Sequence, residues 1–420
     1  MALNAYKGTS KEQNRMKAIA AALARLAKFA LTVGLGTVVG LIAIPVITDV
    51  VGSGLWAILA LVQSLATLFG VLVAFGWGTV GPSMVASLPA AERPQLFADS
   101  LVTRSYLYLL TAPIMGCVMI ALQPAHAAFV FLASLTYLLP FLGASWYFIG
   151  EAKPTRLFLA DALPQLAGTV AGLFVLTNTR DLTLMVLTQL LFSLFAVAIS
   201  AVVVLGSAKS TLSFDFSIRG SWSRMQLQRH GVITAATGSL YVNLPILAVT
   251  ILIPSHLDVY AFADRLFRYG AVAFSPVLQF IQGWIPEGGV RDQKHRIRRA
   301  AQAAPLIGVA GGLALAILGP FAAQVLVKDP IPFGTSLSVP IGVAFAAVAL
   351  SQVLGLACLV AVGRARDLAR STLIGALAGA PMIVAGALSL GVVGVAWAVA
   401  ISEALVAAYQ LVVLRRHMRG

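Results

Sequence analysis

The chain has 420 residues, of which 59% are hydrophobic and 10% charged, and its mean hydropathy is +0.92. These proportions exclude a soluble globular domain, and the lack of strand-like alternation excludes a membrane β-barrel; what remains is an all-α polytopic membrane protein. A net charge of +14 would point to nucleic acid in a soluble protein, but here no nucleic acid is expected, because basic residues mark the cytoplasmic connections between membrane helices.

Residues 1–28 are too long and too charged before the first apolar run for a cleaved signal peptide. Ser10 to Lys28 reads as an amphipathic helix on the inner membrane surface. Met16, Ile19, Leu23 and Leu26 share a face, and Ser10 with Gln13 has the spacing of a capping box.

Twelve apolar runs follow, each long enough to cross a bilayer. Segments 1 to 6 are predicted at residues 29–48, 55–78, 105–122, 127–149, 157–177 and 184–205. Segments 7 to 12 are predicted at 231–253, 259–285, 301–327, 337–362, 371–390 and 392–414. The longest connection, residues 206–230, divides them into an N-terminal lobe (29–205) and a C-terminal lobe (231–414), with a tail at 415–420. Of 29 lysines and arginines, 25 fall on one side of this alternation: in the N-terminal stretch, the even-numbered connections and the tail. The odd-numbered connections hold only Arg180 and Lys328. The positive-inside rule therefore places both termini and the inter-lobe connection in the cytoplasm.

Ile44-Pro45 in segment 1 and Leu244-Pro245 in segment 7 are each followed by a short connection and an aromatic-alanine pair, Trp56-Ala57 and Tyr260-Ala261. The match is that of a parallel repeat, an architecture common among transporters, with substrate held between the halves. Gly36/Gly40, Gly308/Gly312 and Gly375/Gly379 have the small-xxx-small spacing that lets helices approach closely. Pro45, Pro140, Pro164, Pro245, Pro276 and Pro381 are candidate kinks.

Segment 8 carries the charges that need explaining. Asp264, Arg268, Ser275, Gln279 and Gln282 fall within about 60° of one another on a helix, with Arg265 beside them. Lipid offers such a stripe no hydrogen bonds, so it requires water, a partner or a ligand. One reading is a hydrated cavity in which Arg265 and Arg268 present guanidinium forks to an anion, with Asp264 orienting Arg268. The other is arginines snorkelling to the outer headgroups, or a structural ion-pair cluster. Gln63 and Thr67 in segment 2, and Tyr241 and Asn243 in segment 7, are candidate polar lining. Glu403 in segment 12, on one face with Gln410, is a candidate ion-coupling carboxylate, as is Asp264; a packing role is the alternative for Glu403. Asp161 reads as a snorkelling residue, Arg104 as part of an inner connection, and Cys117 and Cys358 as core thiols. No nucleophile elbow, zinc spacing or phosphate-binding glycine loop is present, so neither an enzyme nor a cofactor or metal is expected.

Four stretches resemble the Wzx-type polysaccharide flippases of the multidrug/oligosaccharidyl-lipid/polysaccharide exporter superfamily. They are IPVITDVVGSGLWAILALVQSLATLFGVLVAFGWGTVGPSMVAS across segments 1 and 2, SWYFIGEAKP closing segment 4, SLYVNLPILAVTI with YAFADRLFRYGAVAFSPVLQFIQGWIPE in segments 7 and 8, and GVVGVAWAVAISE opening segment 12. The resemblance implies two six-helix lobes around a central cavity, working by alternating access. It implies a bacterial inner-membrane location, a polyprenyl-pyrophosphate-linked glycan as cargo, and membrane lipids and polysaccharide-assembly proteins as partners. A related lipid II flippase usually has fourteen spans, and this chain has room for twelve. Weighed against this reading are a cation-coupled drug antiporter of the same superfamily and a membrane polysaccharide polymerase or glycosyltransferase.

Overall fold

The structure is a computed structural model that describes residues 2–208, 212–287, 289–327 and 331–419. The side chains of residues 1–30, with the predicted amphipathic face, lie outside the described residues, as do Lys209 and Lys328. Among the described residues every regular element is helical. This follows from the sequence: apolar runs in a bilayer satisfy their backbone only within themselves.

Among the described residues eight helices are long and apolar enough to cross a membrane, and a ninth unit is the pair Gly238–Leu252 and Pro254–Ile285, bent by 119°. Three of these nine units are double, which gives twelve crossings. The bent pair is one, and the other two, Gly34–Ala74 and Arg366–Met418, are each interrupted by a glycine outside helical geometry. Gly52 has φ 83° and Gly391 has φ 62°, backbone angles that a residue with a Cβ rarely adopts. The packing proves the second reversal. Gly375 faces Val406, Gly379 faces Ser402, and Gly386 faces Gly394, so segments 11 and 12 run antiparallel from Gly391. The predicted boundaries at Thr48/Leu55 and Leu390/Val392 bracket the two reversals.

The glycine pairs divide by use. Gly308 and Gly312 let segment 9 lie against the carbonyls of Ala346 and Gly342 in segment 10, and Gly375 and Gly379 serve the segment 11–12 hairpin. Gly40 meets the Tyr269 hydroxyl, whereas a side chain at Gly36 would meet open space.

Turns at the end opposite the short connections recur between the lobes. After segment 4, the N–H groups of Ala152 and Lys153 bond to the carbonyls of Ile149 and Phe148; after segment 10, those of Gly363 and Arg364 bond to Val360 and Leu359. Both turns pass through a left-handed residue, Ala152 (φ 55°) and Gly363 (φ 74°), which is a Schellman helix end. The turns correspond residue for residue, in addition to the Leu/Ile-Pro match seen in the sequence.

Core packing differs between the two ends. At the end with the short connections, one cluster unites both lobes: Ile44, Trp56, Leu61 and Met115 with Val249, Phe262, Phe333 and Val395. At the other end each lobe has its own cluster, Trp77, Phe97, Trp146 and Tyr147 in one and Phe274, Ile285, Phe345 and Leu354 in the other. The molecule is therefore closed at the short-connection end, and its halves pack separately at the opposite end. Trp56 against Phe262 (6.4 Å) and Ser53 Oγ donating to Asp258 (3.5 Å) lie at the closed end.

Candidate functional site

Segment 8 stands between two cavities. The N-lobe cavity, about 440 Å³, is lined by Thr37, Gly40, Trp56, Gln63, Tyr137, Thr169 and Gln189, with Arg265, Arg268 and Tyr269 from segment 8. The C-lobe cavity, about 640 Å³, is lined by Tyr241, Pro245, Phe267, Val348, Leu356, Val399, Glu403 and Gln410, and again by Arg268. Arg268 and Val272 line both.

The structure gathers six of the candidate residues into two hydrogen-bonded groups, Asp264, Arg268, Asn243 and Thr67 in one and Arg265 with Gln63 in the other. Arg268 Nε bonds Asp264 Oδ2 at 2.7 Å, and its Nη2 donates to Asn243 Oδ1 at 3.0 Å. Asn243 donates in turn to Thr67 Oγ1 (3.1 Å) and to the Ser239 carbonyl (2.8 Å), tying segment 7 to segment 2. Arg265 Nη2 donates to Gln63 Oε1. Tyr137 donates to Gln189 Oε1 at 2.6 Å, adding two neutral hydrogen-bonding groups that no sequence signal singles out. With Arg265, Arg268, Gln63, Tyr137 and Gln189 at its wall, the N-lobe cavity offers cationic forks beside neutral donors and acceptors. Such a wall suits an anion joined to a hydroxyl-rich group.

The side chains of Arg268 and Asp264 remain 26% and 15% exposed, so this pair is not sealed and Arg268 keeps a face on the cavities. The rest of the stripe is looser. Ser275 donates to the Val272 carbonyl of its own helix, Gln279 is exposed, and Gln282 is half-buried.

In the C-lobe cavity Tyr241 and Ser402 share a hydrogen bond of 2.7 Å, joining segments 7 and 12. Glu403 is half-buried next to Ser402. Gln410 is buried and donates to Ser371 Oγ (2.9 Å), while its Oε1 has no partner among the described residues. No group of three or more His, Cys, Asp or Glu among the described residues is placed to hold a metal ion.

Three sequence expectations fail in the N-lobe and the apolar core. Arg104 is 1% exposed, inside the helix Arg93–Leu122 rather than in a connection, and Asp161 is buried rather than snorkelling. Segment 4 breaks around Pro140, passing from α-helix (Ala127–Leu138) through a 3-10 turn to Gly143. The break frees two carbonyls, and Arg104 Nη1 donates to both, Phe141 O at 2.9 Å and Gly143 O at 3.0 Å. Its guanidinium also lies 5.5 Å from the Trp146 ring. Asp161 sits on the far side of Gly143, in a π-turn of segment 5. Arg104 is thus the clamp of a broken helix, a task invisible until the break is seen. Cys117 is exposed on its helix, while Cys358 is in the core.

No family model and no curated protein matches the sequence. The fold does match solved structures. It is similar to the lipid II flippase MurJ in an inward closed conformation, with TM-score 0.65 and 12% identity over 92% of this chain and 87% of that one. It is similar to the inward-facing conformation of a multidrug resistance MATE family transporter of the MOP superfamily, with TM-score 0.62 and 12% identity over 94% and 98%. A MATE in the bent conformation gives 0.57 and 12% over 93% of each chain. The protein is a multi-span membrane protein with the MATE/MurJ fold of two six-helix lobes around a central cavity.

Proposed function

We propose that the protein is a flippase of the bacterial inner membrane that moves polyprenyl-pyrophosphate-linked oligosaccharide from the inner to the outer leaflet for surface or exopolysaccharide synthesis. The observation that carries this reading is the pair of arginines held inside the bundle at the wall of a cavity with neutral hydrogen-bonding groups. Guanidinium grips phosphate through parallel bonds, and Gln63, Tyr137 and Gln189 are suited to sugar hydroxyls. The fold shared with a lipid II flippase supports the same class of cargo. Both termini are cytoplasmic, the lobes span residues 29–205 and 231–414, and they alternate about segment 8. Other polysaccharide-assembly proteins are expected partners, and no catalysis is assigned.

The test is sidedness of the lipid-linked glycan in spheroplasts of a deletion strain, read with a membrane-impermeant glycan-modifying reagent. Glycan that accumulates protected supports the reading. Glycan exposed on the outer face but unpolymerised contradicts it.

A second reading, a cation-coupled antiporter of drugs or other small molecules, is favoured by Glu403 in the larger and more apolar C-lobe cavity. In the flippase reading the same carboxylate, with Asp264, takes the coupling ion. Drug efflux by the purified protein, without glycan movement, selects the antiporter.

A further inference from the structure

The inter-lobe connection reads in the sequence as a cytoplasmic loop. Its described part is instead fastened along the flank of segment 3. Gln95 brackets the Ser213 main chain, Nε2 donating to its carbonyl (2.7 Å) and Oε1 accepting its N–H (3.0 Å). The Tyr106 hydroxyl donates to the Phe216 carbonyl at 2.8 Å. Arg224 pairs with Asp99 (3.1 Å), on the helix Arg93–Leu122 that continues into segment 3, and with Asp215 of the connection (3.0 Å). Asp215 accepts the Ser217 N–H at 2.9 Å, and Ser217 Oγ accepts the Gly220 N–H at 3.0 Å, which starts the helix Ile218–Leu252.

Two facts fix where this strap lies. The first is depth. Gln95 and Tyr106 are separated by roughly 16 Å of helix, and Tyr106 is the second residue of the apolar run that begins at Ser105. The strap therefore reaches from the charged start of segment 3 to the level where hydrocarbon begins. The second is composition. Phe214, Phe216, Ile218 and Trp222 are 44%, 64%, 79% and 59% exposed, and the rings of Phe214 and Phe216 stack at 6.0 Å. Water disfavours such a run, whereas the headgroup–acyl boundary favours aromatic rings there. Arg224 is neutralised by Asp99 and Asp215, which leaves the connection Lys209, Arg219 and Arg229, a charge complementary to anionic headgroups.

We propose that residues 212–222 form a lipid-anchored strap, seated in the inner-leaflet interface on anionic phospholipid, that bolts the start of segment 7 to segment 3. Segment 7 thus begins on the N-lobe, through the Arg224–Asp99 pair, and ends in the C-lobe. Lobe movement is taken up within that helix, between Arg224 and Pro245, and not in a slack loop. The proposal rests on the cytoplasmic placement of the connection given above, and not on the identity of the cargo.

The experiment places a nitroxide at Phe214→Cys, Phe216→Cys, Ile218→Cys or Trp222→Cys in the full chain, with Cys117 and Cys358 replaced by serine. Collision with oxygen is compared with collision with a water-soluble nickel chelate in phosphatidylglycerol and in phosphatidylcholine vesicles. Oxygen is expected to dominate at 216, 218 and 222, as at lipid-facing Leu109→Cys, and the labels are expected to sit deeper in phosphatidylglycerol. Asp99→Asn is expected to raise the mobility of the label at 218 while the protein stays folded. Nickel-dominated collision at these positions, or immersion only after a protein partner is added, overturns the strap; equal depth in both lipids overturns the anionic partner. The readout needs no transport, so failure here is distinguishable from failure of the flippase reading.

Discussion

The two cavities on either side of segment 8 are built from similar helices and differ in what they can hold. The N-lobe cavity has cations and neutral hydrogen-bonding groups, Arg265, Gln63, Tyr137 and Gln189. The C-lobe cavity is larger, mostly apolar, and carries a carboxylate, Glu403. Arg268 belongs to both and is braced by Asp264 and Asn243. Under the proposed function this difference places the anion on the N-lobe side and the coupling ion on the C-lobe side. It also gives Arg268 the position from which occupancy of one is felt by the other, since coupling requires a group that both ligands bias.

The strongest way to break this comparison is to remove the cations. Arg265→Ala with Arg268→Ala is expected to slow glycan flipping about 100-fold or more in proteoliposomes, within the 2–5 kcal/mol lost when a desolvated charged contact is truncated. Protein level in the membrane is expected to be unchanged. A third arginine separates binding from structure: Arg104→Ala leaves two buried carbonyls without a donor. It is expected to cost on the order of 3 kcal/mol in thermal unfolding, with any transport loss tracking the folded fraction. Glu403→Gln is expected to slow gradient-driven transport about 10-fold, a typical coupling energy. Equilibrium binding of the lipid-linked glycan is expected to persist in that variant, as titration with the purified protein will show. The smallest effects concern the cavity wall. Gly40→Ala places a Cβ 2.6 Å from the Tyr269 hydroxyl and is expected to cost about 1 kcal/mol. Gly36→Ala, in open space, is expected to change stability by less than about 0.5 kcal/mol.

The sequence was most legible where one physical constraint acts alone. Hydropathy with charge asymmetry located the crossings, because lipid rejects charge and backbone alike, and Gly52 and Gly391 fell inside predicted connections. In segment 8 the i to i+4 spacing that pairs Asp264 with Arg268 was legible for the same reason, whereas Ser275, Gln279 and Gln282 line neither of the two cavities. Tyr137 and Gln189 were missed because a lone polar residue in an apolar run carries no signal of its partner on another helix. Arg104 and Asp161 were misplaced because their burial depends on an irregular backbone. The break at Pro140 to Gly143 and the π-turn in segment 5 supply carbonyls and space that no periodicity announces. Residues 212–222 read as loop because their polar brackets, Gln95, Asp99 and Tyr106, lie more than a hundred residues earlier in the chain.

The most direct measurement is flipping of polyprenyl-pyrophosphate-linked oligosaccharide in proteoliposomes holding the purified protein alone. An impermeant glycan-modifying reagent reports which leaflet holds the sugar. Transfer by the native protein that is lost in the Arg265→Ala, Arg268→Ala double variant, with that variant still folded, is the result predicted. Equal transfer by both proteins would contradict the assignment of the N-lobe cavity to the anion.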